Sequence, residues 1–252
     1  MAAHYLESLI EQLDSNEVSV FVDSCAETGN QFRETQISPN KNLTQFDEET
    51  MKIQLSDLNT LAHWYQEHKI IATPGLIEEA EQYQQILQIH QKKFQNKHAY
   101  KRRFNKFPPG YERIEFELLE LFRDIVFEQK KAIGKMAINH KQNQYLYGTV
   151  EYQEIYCKVL EIGRKPGIKQ NKYGPVNHKN KTDEELVATA LYQSMIKEKS
   201  SHIFSEDTDI KRILDTAQQY YKQCKPIFLH SVKHKGVTSI QRISYFLRKR
   251  VS

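Results

Sequence analysis

Cysteine is scarce: positions 25, 157 and 224 hold the only three in 252 residues. An odd number at such wide spacing excludes a disulfide framework and a Cys-x-x-Cys metal knuckle, and it fits a reducing cytoplasm. Long apolar runs are missing too. No stretch approaches the roughly 18 residues that a membrane span takes. The opening "MAAHYLESLIEQLDSNE" carries acids and no basic region ahead of an apolar stretch, so it does not read as a secretory leader. Tyr5, Leu6, Leu9, Ile10 and Leu13 predict an amphipathic helix there instead. The ten histidines form no His-Glu-x-x-His pair, and no Gly-Lys-Ser/Thr run closes a phosphate loop. A strong charge bias is also lacking. With 36 Lys and Arg against 32 Asp and Glu, the formal charge is only +4. That permits a nucleic-acid partner without requiring one.

What is present is an alternation of strand-like and helix-like segments. "EVSVFVD" is β-branched and apolar and ends on Asp23, and "KIIATP" reads as a short second strand. Between them, residues 31 to 55 read as loop, and "SDLNTLAHWYQEHK" as a helix capped by Ser56. Pro74 opens the helix "PGLIEEAEQYQQILQIHQKKF", with Thr73 as its cap. "ERIEFELLELFRDIVFEQKKAI" predicts a second long helix, and "GTVEYQEIYCKVLEIG" a third, with a strand as the alternative. Later come the helix "DEELVATALYQSMIKEK", the strand "SHIFS", the helix "DTDIKRILDTAQQYYKQ" and a final strand "PIFLHSV". This order predicts one α/β domain over 1–252, a central mainly parallel sheet flanked by helices, with a helical insertion at about 93–181.

In such sheets ligands bind beyond the C-terminal ends of the strands. Acids collect at the corresponding places: Asp23, then Glu78 and Glu79, then Asp183, Glu184 and Glu185, then Glu206, Asp207 and Asp209. Each helix-start cluster is also what a helix dipole favours, and Thr182-x-x-Glu185 spells a capping box. Jointly they would repel, and a divalent cation relieves that repulsion. All-oxygen donors favour Mg²⁺ or Mn²⁺.

The stretches "VSVFVDS", "IATPGLIEEAEQY", "TDEELVATALY" and "SHIFSEDTDI" resemble the PIN-domain nucleases. The resemblance covers about 17–92 and 182–232 and leaves 93–181 unmatched. It implies a PIN-like fold and a Mg²⁺- or Mn²⁺-dependent hydrolysis of single-stranded RNA, with DNA as an alternative substrate. It implies that Asp23, Asp183 and Asp207 hold the metal, and that Glu79 and Asp209 complete the catalytic set. Glu78 competes with Glu79, which is preferred because Ala80 follows it. An inhibitory protein partner and a homodimer are compatible with this reading; a membrane is not expected.

From Gly163 to Thr182 the chain holds six basic residues and no acid. Arg164, Lys165, Lys169, Lys172, Lys179 and Lys181 are candidates to grip a phosphate backbone, with Tyr173 to stack on a base. A solvated loop is the alternative. Lys101, Arg102, Arg103 and Lys106, with Phe104 and Phe107, form a second basic patch. A non-catalytic binding scaffold remains the competing function. A haloacid-dehalogenase-type phosphatase is disfavoured because Cys25 stands where that chemistry needs a second Asp.

Overall fold

In the computed structural model, residues 10–13, 16–23, 48–95, 116–169, 181–205, 207–217, 219–221, 225–233 and 236–243 are described. Strand β1 spans Val18–Val22. Among the described residues, helices α1 (Glu48–Gln66), α2 (Pro74–Gln95) and α3 (Phe116–Tyr147) follow. Then come α4 (Val150–Gly163) and α5 (Thr182–Met195). The described residues end with β2 (Ser200–Ser205), α6 (Thr208–Ala217), β3 (Ile227–Lys233) and β4 (Gly236–Ile243).

The sheet order is β1-β2-β3-β4, the first three parallel and the last antiparallel. The protein is therefore α/β, with a three-stranded parallel core and one antiparallel edge. Val20, Phe21 and Val22 are buried although they alternate between faces, which is why β1 reads as a continuous apolar run. Helix α5 is buried almost all round, from Leu186 to Ser194. Its small residues Ala188 and Ala190 allow close approach, and Ser201 Oγ donates to the Ala190 carbonyl at 2.9 Å. A helix apolar on every side belongs in a core.

Helix α5 descends from the rim where the strands end, because its C-terminus feeds the start of β2. The pairing Val22↔Phe204 brings Asp23 level with Ser205 at that rim. The starts of α5 and α6 lie there too.

Several expectations change. Helix α1 begins at Glu48, so Ser56 is interior to it and does not cap it. "KIIATP" is not a strand. It makes one sheet-like bond, Ile71 N to the Val20 carbonyl at 2.9 Å, before Pro74 turns the chain into α2. Helix α3 runs on to Tyr147, while the helix expected over 150–163 does form, capped by Thr149, whose Oγ1 accepts from Tyr152 N at 3.2 Å. β4 was not anticipated, and α6 is shorter than its sequence pattern.

Residues 116–163 are built into the fold rather than appended to it. Met136, Leu146, Tyr152, Ile155, Val159 and Ile162 share the main core with β1, β2 and α5. A second core joins α1, α2 and α3 through Met51, Leu58, Tyr83, Leu87, Phe122, Ile125 and Val126. Among the described residues, no helix is long and apolar enough to cross a membrane.

Candidate acidic site at the strand ends

Asp23 follows the last residue of β1 and is 4% exposed. Its backbone N–H donates to the Phe204 carbonyl at 2.9 Å, which extends the sheet by one residue. Its Oδ2 accepts from Ser205 Oγ at 2.7 Å. The same Ser205 oxygen accepts from Asp207 N at 2.8 Å. One hydroxyl thus joins the β1 carboxylate to the turn between β2 and α6. The cap of α6 is Asp207, whose Oδ1 accepts from Asp209 N at 2.7 Å. Asp209 is 8% exposed and pairs with Arg212 one turn on, at 2.9 Å.

Asp183 opens α5. Burial, first, and the nearby Asp23 and Asp207 push its carboxyl up to about 8. Lys169 opposes that shift. Two acids from other parts of the chain therefore act on Asp183 at this rim. Lys169 Nζ lies 3.1 Å from Asp183 Oδ2 and 2.7 Å from Glu184 Oε2. Burial disfavours this ammonium, but the two acids outweigh burial and hold its pKa above the ordinary lysine value. Glu184 is itself buried, packed so close to Gly163 that a Cβ there would stand 2.2 Å from its Oε1.

Glu185 does not close a capping box with Thr182. The N-cap residue of α5 is Lys181, without a side-chain cap bond. Glu185 Oε2 instead accepts from Gly75 N at 2.6 Å, and Tyr156 OH donates to Oε1 at 3.4 Å. This acid satisfies an orphan N–H of α2, a helix that starts far earlier in the sequence. Burial raises its pKa against those two donors, and Glu78 raises it further. Glu78, one of the two candidates on α2, is exposed. Glu79 is half-buried on the same helix.

The basic segment divides. Lys169 pairs with Asp183 and Glu184. Lys165 donates to Tyr220 OH at 2.6 Å. Arg164 and Lys181 are exposed. Lys172, Lys179, Tyr173, Glu206, Cys25 and the patch at Lys101–Phe107 lie outside the described residues. Cys157 is exposed.

Among the described residues, no three Asp, Glu, His or Cys side chains form a group that could hold a metal ion as they stand. The contributions of Ser205, Lys169 and Gly75 carried no sequence signal of their own, since each is an ordinary residue until the rim is assembled. No family model, no curated protein and no solved structure matches the chain.

Proposed function

We propose that this protein is a divalent-metal-dependent phosphodiester hydrolase with a PIN-like fold, acting on single-stranded RNA. One observation carries the reading: the parallel pairing of β1 and β2 brings Asp23 to Ser205, whose hydroxyl also binds Asp207 N, at the rim where burial and both of these acids raise the Asp183 carboxyl. Packing three mutually repelling acids from three chain segments at the ligand-binding rim of a parallel sheet costs stability. A site that uses their charge explains why that cost is borne.

The donor set suits a hard ion in its chemistry, being carboxylate oxygen without thiol or imidazole. Asp23, Asp183 and Asp207 would hold Mg²⁺ or Mn²⁺, which when bound stabilises charge on the phosphate and acidifies a water. Ser205 fixes the orientation of the Asp23 carboxylate. The α6 amide at Asp209 does the same for Asp207. Arg164 and Lys181, both exposed, supply positive charge to a phosphate chain. Arg212 neutralises Asp209, leaving it a supporting role behind Asp207.

A second reading is favoured by the ion pairs of Lys169. They neutralise part of the acid cluster, as a non-catalytic nucleic-acid- or protein-binding scaffold would require. Incubating the purified chain with single-stranded RNA and single-stranded DNA, in Mn²⁺ or in EDTA, separates the two. Fragments that form with Mn²⁺ and not with EDTA are the expected result. Intact RNA and DNA under both conditions would leave the scaffold.

A further inference from the structure

Lys169 stands in a place that a cation would want. Its ammonium reaches Asp183 and Glu184 at once, and its side chain is only 10% exposed. The backbone just before it is anchored. Ile168 packs on the main core, and its carbonyl accepts from Arg212 Nη1 at 3.4 Å. Gly167 takes a left-handed turn at φ +82°, where a Cβ would meet no neighbour, so the need for glycine is conformational and not spatial. The chain is thereby turned to deliver residue 169 to the α5 terminus. The four-carbon stem of lysine can carry the ammonium away without moving that anchor.

We infer that Lys169 is a tethered counter-ion that closes the acidic site until a divalent cation displaces it from Asp183. This rests on the metal-dependent reading above and names the regulation of that same site. Two observations converge on it. The ammonium pairs with one of the oxygens that a metal would take, Asp183 Oδ2 at 3.1 Å. Glu184, wedged against Gly163, offers Lys169 a second partner, so the ammonium can pivot on Glu184 while it releases Asp183. A cation of twice the charge competes well for Asp183, and the freed ammonium is then placed to meet a phosphate oxygen at the rim.

The test titrates MnCl₂ calorimetrically into the full chain and into Lys169→Met, Lys169→Gln and Lys169→Arg. Lys169→Met should bind Mn²⁺ about tenfold more tightly or better, since the competing charge is gone. Lys169→Arg, which keeps the charge, should stay near the parent. Should Lys169→Met fail to fold by circular dichroism, Lys169→Gln is judged by the same criterion. Adding Asp183→Asn to the tighter variant should cancel the gain, and a gain that survived it would overturn the inference. If the parent binds Mn²⁺ and the uncharged variants bind it no better, the inference falls while the metal-dependent reading stands. If no variant binds Mn²⁺, both fall.

Discussion

Ser205 Oγ donates to Asp23 Oδ2 at 2.7 Å across 182 residues of chain. The bond exists because β1 and β2 pair in parallel, with Val22 opposite Phe204, so the residue after each strand meets its counterpart. The same hydroxyl accepts from Asp207 N, so Ser205 sets the distance between two of the three proposed metal-holding acids.

Asp23→Asn should therefore abolish Mn²⁺-dependent cleavage of unstructured RNA, by at least about 100-fold, while the circular dichroism spectrum stays unchanged. Ser205→Ala should lower the rate less and cost about 1–3 kcal/mol, because a buried carboxylate loses a donor. Urea unfolding and a fluorescent RNA cleavage assay measure the two effects. Full activity in purified Asp23→Asn would remove this residue from the mechanism.

Glu185 gives a second, separable test. Its carboxylate caps the start of α2 through Gly75 N. Glu185→Ala should cost about 1–2 kcal/mol by leaving that amide without its acceptor. Glu185→Gln keeps an acceptor and should retain most of the stability. Gly75→Ala should be worse than an ordinary helix substitution. Its Cβ would lie 2.9 Å from Glu185 Oε2 and from Thr182 Oγ1, and 3.0 Å from Thr182 Cα. Combined with Glu185→Ala, part of that loss should be recovered, because one of the clashing groups is gone. Strict additivity in chemical denaturation would contradict the contact.

These residues also show where sequence reading stops. β1, β2, β3, α2 and α5 were legible because apolar runs and helical periodicity are local. The rim acids were legible for the same reason: each sits at an element boundary that the pattern marks. The partner of Glu185 was not, since Thr182-x-x-Glu185 satisfies the local capping rule and only tertiary packing redirects it to Gly75. Lys169 reads as one of six bases in a loop, and nothing local shows that two acids claim it. The antiparallel β4 escaped because "GVTSIQRI" alternates weakly, and its pairing with β3 is a tertiary fact.

Asn139 is a buried lock that the sequence hides in the middle of a helix. It is 1% exposed, and its Nδ2 donates to the carbonyls of Tyr65 and Ile70 at 3.1 and 2.9 Å. Its Oδ1 accepts from Ala72 N at 3.0 Å. These bonds fasten α3 to the turn after α1, where His68 adopts φ 55°. The turn leads to Ile71, which bonds to β1, and on to the start of α2. Asn139→Leu should cost about 3 kcal/mol or more, since buried backbone groups lose partners. Asn139→Asp, nearly isosteric, should be no better, because it faces two carbonyl oxygens without a donor. Urea midpoints measure both, and a harmless Asn139→Asp would show that shape rather than hydrogen bonding holds the turn.

His202 Nδ1 and His230 Nε2 lie 3.0 Å apart on adjacent strands, and the His230 ring stacks on Phe204 at 4.2 Å between centroids. Burial, first, and then His202 lower the His230 pKa to about 4; burial lowers that of His202. The contact needs one nitrogen without a proton, so charging both rings breaks it. A histidine depressed in the folded state gives up stability as pH falls. Its contribution is complete above the unfolded value near 6.5 and declines from there towards 4, by at most about 1.4 kcal/mol per pH unit for each group. Asp183 works in the opposite sense, because a raised carboxyl pKa makes the folded state lose stability as pH climbs towards 8. The parent alone therefore gives a mixed profile, and the informative quantity is the difference from His230→Phe. That variant keeps the stacking ring, removes the titrating group and leaves Asp183 untouched. Its stability relative to the parent, from urea unfolding, should rise as the buffer goes from pH 7.5 to pH 5. A difference that stays flat over this interval would mean that the pair carries no proton-linked strain.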